Sequence, residues 1–258
     1  MKHLVLGPDL KVIAVIPARY ASERFPGKVI VPLAGKPLVL HAYEQARQSR
    51  LVTETVIATD DERVVEALLP YGVNVTMTRR DHETGTDRIA ELAKKSDADI
   101  IVNVQADEPQ IDPDLIDATV QPLLEDLELP MATARHPIRD AALIADPNCV
   151  KVVCDEDGRA LYFSRSPIPF LRGGAHDAET EDIYWQHIGL YVYRREFLLK
   201  YAKMPPTPLE QFERLEQLRV LENGYSIAVV EAEKPCIGVD TPEDLHRVQE
   251  AIGVQSSK

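Results

Sequence analysis

Cysteine is scarce in this chain: Cys149, Cys154 and Cys236 are the three present in 258 residues. An odd count without paired ligand spacing excludes a disulfide framework and offers no zinc site. The thiols read as small buried side chains in a reducing compartment. Long apolar runs are lacking too, and no stretch approaches the roughly 20 residues that a membrane-spanning helix needs. The leading segment MKHLVLGPDL has an apolar patch broken by Gly7 and Pro8, without the length or cleavage pattern of a secretory signal. These absences lead to the expectation of a soluble cytoplasmic protein. Excess positive charge is missing as well: 29 Lys and Arg stand against 42 Asp and Glu, for a net charge of -13. Phosphate neutralisation drives nucleic-acid binding, so the acidic balance excludes a general DNA or RNA binder. It does not exclude a small anion in a locally basic pocket. Two familiar phosphate loops are also absent. FPGKV lacks the first glycine and the Ser or Thr after Lys28 of a Walker loop, and no G-x-G-x-x-G follows the first strand.

What is present is a core-forming chain, 45% hydrophobic, with no internal repeat or low-complexity linker. KVIAVIPA is a continuous apolar run, the pattern of a strand buried on both faces. PLVLHAYEQARQS follows as a helix with Leu40, Tyr43 and Ala46 on one face. ETVIATD, NVTMT and DIIVNVQA read as strands, alternating with DERVVEALLPYG, GTDRIAELAKKS and DPDLIDATVQPLLEDL as helices. That alternation predicts a largely parallel sheet covered by helices. After about Leu129 the rhythm changes to strands with little helix between them, and EDG before Arg159 signals a hairpin. An antiparallel arm is therefore expected. LEQFERLEQLRVLENG reads as one helix stopped by Gly224. TPEDLHRVQEAI reads as the last helix, capped by Thr241 with Pro242 at its first position. GGAHDAETED, from Gly173 to Asp182, reads as a solvated surface loop, because its acids lack calcium-loop spacing.

Ligands of an open parallel sheet bind beyond the carboxyl ends of its strands. The loop after the first strand carries Arg19, Arg24 and Lys28 in VIAVIPARYASERFPGK. Arginine forks bind phosphate oxygens in pairs, and lysine adds a compact charge. The loop reads as a triphosphate or pyrophosphate clamp, with solvated surface cations as the alternative. VQADEP puts Asp107 and Glu108 just past a buried strand, where a carboxylate beside a phosphate loop suits magnesium or simply caps a turn. Asp240 precedes the last helix, and Thr241 can serve as that helix's cap instead. Gly85 and Thr86 open a helix whose free N–H groups suit an anion or a base edge.

IPARYASERFPGK, TGTDRIAE, IVNVQADEPQI, LYFSRSPIPF, HIGLYVYR, LEQLR and VDTPEDL, in that order, resemble the CMP-KDO synthetase family, the 3-deoxy-manno-octulosonate cytidylyltransferases. The motifs run from about Val12 to Ile252. The resemblance implies one α/β domain of the nucleotide-diphospho-sugar transferase kind: a mostly parallel central sheet flanked by helices, with an added antiparallel arm. Residues 11–129 would be mainly nucleotide-binding, and 130–252 mainly sugar-binding and dimerising. It implies a homodimer that joins CTP to the sugar acid KDO, releases pyrophosphate, uses Mg2+ and serves lipopolysaccharide biosynthesis. Arg19, Lys28, Asp107 and Asp240 would be catalytic, with Asp107 and Asp240 as metal ligands. Arg19, Ser22, Arg24, Lys28, Arg79, Thr86 and Gln105 would hold the nucleotide. Gln105, Arg165, His187, Tyr191, Glu216 and Gln217 would hold the sugar acid, with Arg165 as the fork for its carboxylate. Ala106 departs from the family's usual glycine, which raises a modified acid such as the 8-amino analogue as an alternative substrate. Sialic acid is another alternative, and a non-catalytic nucleotide-binding regulator on the same fold is a third reading.

Overall fold

The computed structural model describes residues 10–21, 25–82, 84–172 and 182–255. Ser22, Arg24 and residues 173–181 of the acidic loop lie outside the described residues. The chain divides into two compact units, residues 1–117 with 236–258 and residues 118–235.

The first unit begins with β1 (Val12–Pro17), almost wholly buried. A single 3-10 turn (Lys28–Ile30) and a short hairpin, β2 (Pro32–Leu33) and β3 (Lys36–Pro37), lead into α1 (Leu38–Ala46). There follow β4 (Glu54–Thr59), α2 (Glu62–Leu68), β5 (Val75–Met77), α3 (Gly85–Lys95) and β6 (Ile100–Asn103). The sheet order is β6-β1-β4-β5, parallel throughout. Every residue of β6 and all but the first of β4 are buried, as strands covered on both faces are. On α1, Leu40, Tyr43 and Ala46 are buried as the helical spacing predicts.

The chain passes through α4 (Pro113–Glu125) into the second unit. There it forms β7 (Met131–Ile138), α5 (Ala141–Ala145), β8 (Lys151–Cys154), β9 (Ala160–Ser164) and β10 (Tyr184–Arg194). Then come α6 (Arg195–Tyr201), α7 (Pro208–Glu213), α8 (Leu218–Glu222) and β11 (Ile227–Glu231). β7 pairs parallel with β11 and antiparallel with β10. β8 and β9 form the expected antiparallel hairpin, with Gly158 at positive φ in its turn. The single helix expected over residues 209–224 is instead α7 and α8. Arg214 adopts φ 53, a left-handed conformation that ends α7. Glu216 and Gln217 therefore sit in the turn between two helices, not on a helix. Gly224 stops α8 at φ 76.

The chain returns to the first unit and ends in α9 (Pro242–Gln255). Val239 and Val248 pack with Leu33 and Leu38 in a small buried cluster beneath that helix.

Candidate active site

The basic loop leaves β1 at Pro17. Ala18 donates its N–H to the Ala58 carbonyl at 2.8 Å, fixing the exit. Gly27 has φ 72 and donates to the Tyr20 carbonyl at 2.9 Å. A Cβ there would lie 3.2 Å from the Tyr20 ring, so both backbone angle and close approach call for glycine. The other side of this small assembly is Arg63, whose guanidinium lies 3.5 Å from the Tyr20 ring centroid. Pro26 and Gly27 thus bend the chain so that Lys28 follows, half-buried, at the start of the 3-10 turn. Arg19 donates from Nη2 to the His82 carbonyl at 3.0 Å, tying the loop to the segment before α3.

Asp107 lies in the turn after β6, and Asp240 just before α9. Their segments are joined through the backbone, because Val239 donates to the Asp107 carbonyl at 2.8 Å. The two carboxylates meet on one cation. Lys28 Nζ is 2.6 Å from Asp107 Oδ2, 2.8 Å from Asp240 Oδ1 and 3.2 Å from the Val239 carbonyl. Burial works to lower the Lys28 pKa, but the two carboxylates outweigh it and hold the ammonium charged. Helix capping does not explain Asp240. Thr241 Oγ1 accepts from Asp244 N–H, and the Asp244 carboxylate accepts from the N–H groups of Asp240 and Thr241, a reciprocal cap.

Glu108, next to Asp107, has a different fate. Its Oε2 is buried and has no hydrogen-bond partner among the described residues. Burial, followed by the nearby Asp107 charge, pushes its pKa up to about 8. A carboxyl that is neutral near pH 7 is a poor cation ligand, whereas Asp107 faces Lys28. Ala106 does not adopt a positive φ, unlike Ala34 and Arg214. Alanine therefore fits its backbone without strain.

α3 opens with Thr84 as its cap, in reciprocal hydrogen bonds with Asp87. Gly85 sits against the Pro17 ring at the end of β1, and Thr86 is buried in the first turn. Arg79 is exposed and pairs with Asp81 at 2.9 Å, while its backbone N–H donates to Glu91. Gln105 donates to Asn103 Oδ1 at 3.3 Å. Sequence reading passed over His82, which supplies the carbonyl under Arg19 and meets Glu91 at 2.7 Å. It also passed over Arg88, fully buried and bonded to Asp60 and Thr78. The signal for Arg88 was an arginine among the apolar positions of an amphipathic helix.

Within the second unit, β10 carries His187 and Tyr191. Their ring centroids are 5.3 Å apart, and Tyr191 donates its hydroxyl to Gln217 Oε1 at 3.2 Å. Gln217 is buried, and its Nε2 has no hydrogen-bond partner among the described residues. Phe163 meets the His187 ring edge-on at 4.9 Å. Burial lowers the His187 pKa from 6.5 to about 3, so the imidazole is neutral. Arg165 lies in the same unit. Its guanidinium donates to the carbonyls of Glu213, Pro147 and Arg214. The Arg165 carbonyl in turn accepts from the buried Lys151 ammonium at 2.7 Å, another residue the sequence did not single out. Glu216 contributes its carbonyl to the Tyr201 hydroxyl at 2.7 Å.

Among the described residues, no three His, Cys, Asp or Glu converge to hold a metal, and no helix is long and apolar enough to cross a membrane. Asp107 with Asp240 offers instead the two-carboxylate donor set that suits a hard divalent cation completed by a substrate's oxygens.

Comparison with known proteins gives a consistent pattern. The cytidylyltransferase family model matches residues 13–230. A 3-deoxy-manno-octulosonate cytidylyltransferase of Geobacter sulfurreducens is 53% identical, over 94% of this chain and 100% of the relative. The enzyme of the same name from Solibacter usitatus is 55% identical, over 92% and 93%. A solved structure of CMP:2-keto-3-deoxy-manno-octonic acid synthetase complexed with CTP matches with a TM-score of 0.89 at 44% identity. That match covers 95% of this chain and 99% of the other.

Proposed function

The chain belongs to the 3-deoxy-manno-octulosonate cytidylyltransferase family, and from that premise we propose that it transfers CMP from CTP to 3-deoxy-D-manno-octulosonate. The sugar's anomeric oxygen forms a bond to the α-phosphorus of CTP. The bond between the α-phosphorus and the bridging oxygen breaks, pyrophosphate leaves, and the hydroxyl proton passes to solvent. Such transfers depend chiefly on alignment and on stabilising charge. Arg19 and Lys28 bind the leaving phosphates. Arg79, Thr86 and Gln105 serve the nucleoside end, with Ser22 and Arg24 of the basic loop also on the nucleotide.

Asp107 and Asp240 are the proposed holders of Mg2+. The observation that carries this reading is their meeting at Lys28 Nζ, 2.6 and 2.8 Å away. Two acids from distant parts of the sequence are thereby built around one cationic point. Magnesium takes one or two protein carboxylates and draws its other ligands from phosphates and water, which fits this pair. When bound, it supplies charge neutralisation at the α-phosphate and acidity at a coordinated oxygen. His187, Tyr191, Glu216 and Gln217 hold the sugar acid, and Arg165, which donates to the Glu213 and Arg214 carbonyls, offers its remaining donors to the acid's carboxylate. We assign the reaction to the cytoplasm, in the supply of activated sugar acid for lipopolysaccharide, and the working form to a homodimer. Exposed Leu161, Phe170 and Phe212 on the second unit support a second copy as their cover.

Pyrophosphate release tests the reading, with CTP and each of KDO, its 8-amino analogue and sialic acid, with and without magnesium. Release with KDO, dependent on magnesium, is the expected result. Release with only another acid would reassign the substrate, and CTP binding without release would favour a regulator.

A further inference from the structure

Thr133 lies on β7 with its side chain fully buried, and it belongs to none of the motifs above. It faces an irregularity in β10. The register pairs Ile188 with Ala134 and then Tyr191 with Thr133, skipping Gly189 and Leu190. This bulge turns two carbonyls onto one hydroxyl. Thr133 Oγ1 is 2.8 Å from the Leu190 carbonyl and 3.1 Å from that of Ile188. It is also 2.9 Å from His187 Nε2.

A hydroxyl has one hydrogen to give and lone pairs to accept with. If that hydrogen went to His187 Nε2, both carbonyl oxygens would face the lone pairs of Oγ1 with nothing between them. If Nε2 carries the hydrogen and donates it to Oγ1, the hydroxyl is released to donate to the carbonyls. Oγ1 then accepts from Nε2–H and its one hydrogen points to the carbonyls, the Leu190 oxygen nearest, so no lone pair of Oγ1 opposes one of Nε2. The geometry points to Thr133 as a positioning residue that fixes His187 in its Nε2–H tautomer, so that Nδ1 is a hydrogen-bond acceptor.

The consequence rests on the proposed sugar-binding role of His187. An acceptor-only Nδ1 selects a donor, and a sugar hydroxyl is one. Gln217 Nε2, held in the same cluster through Tyr191, is a buried donor with no partner among the described residues. An acceptor and a donor grouped about one tyrosine match a polyhydroxylated ligand, whose hydroxyl groups both give and take. Burial adds to the selection by keeping the ring neutral, so Nδ1 does not turn into a donor by protonation near pH 7.

The test combines nitrogen-15 NMR of the imidazole with kinetics. In the wild-type protein His187 should show Nε2 protonated and Nδ1 bare. Thr133→Val, which keeps the shape and removes the hydroxyl, should shift the ring toward a mixture of tautomers. It should raise the KM for the sugar acid about tenfold and leave that for CTP unchanged. Thr133→Ser should restore both readouts. A wild-type ring protonated at Nδ1 would overturn the assignment, and this measurement needs no variant to fold. So would a folded Thr133→Val protein with an unchanged ring and an unchanged sugar KM. An unaltered sugar KM in His187→Ala, with Nε2–H intact in the wild type, would instead overturn the placement of the sugar beside His187.

Discussion

Asp107 and Glu108 are neighbours with the same functional group, and their surroundings assign them opposite work. Asp107 meets the Lys28 ammonium, whereas Glu108 is pushed up to about 8 by burial and by Asp107 itself. Strand position alone placed both acids together and the family resemblance singled out Asp107, because the physical difference between them lies in desolvation. Arg165 shows the same limit. Its type suited a carboxylate, and nothing in the sequence indicated that its guanidinium also donates to three carbonyls. His187 yields a pH prediction. Its folded-state pKa falls from 6.5 to about 3. Below pH 6.5 the unfolded chain takes up a proton there that the folded chain refuses, so stability declines as pH falls toward 3. The His187 resonances should therefore show no protonation between pH 8 and 5. A midpoint near 6.5 would contradict the burial that this account gives the ring.

At the scale of elements, parallel strands and their helices were readable because full burial leaves continuous apolar runs and helical burial leaves a face. The break between α7 and α8 was not. Residues 209–224 keep a helical apolar pattern, and the interruption is one arginine in a left-handed conformation. Tertiary bonds hold that turn, among them Arg219 to Glu210 and Tyr201 to the Glu216 carbonyl. The segment before Lys28 was legible as a loop, but the need for its glycine comes from a ring: the Gly27 backbone lies against Tyr20. Gly27→Ala should cost about 1–2 kcal/mol from the left-handed backbone alone. It should also weaken CTP binding by displacing Lys28. Unchanged CTP affinity and thermal stability in that variant would show that the turn does not set the lysine.

For the whole molecule, the net charge of -13 and the basic loop are compatible, since Lys28 is held among carboxylates and Arg19 by a carbonyl. Charge totals excluded a nucleic-acid coat but could not locate a site, which depends on the fold bringing residue 107 to residue 240. Assembly is equally invisible to composition. Sedimentation should show twice the 28.9 kDa chain mass, with Phe170→Asp and Phe212→Asp together shifting it toward the monomer. A wild-type monomer at working concentrations would remove the homodimer from the proposal.

One divalent cation shared by Asp107, Asp240 and the nucleotide is the centre of the proposed chemistry. Manganese binding in the presence of CTP, followed by electron paramagnetic resonance, addresses it without relying on turnover. The wild-type protein should bind manganese with CTP, and Asp107→Asn and Asp240→Asn should each lose at least tenfold in affinity while staying folded. Wild-type manganese affinity in both variants would contradict the claim.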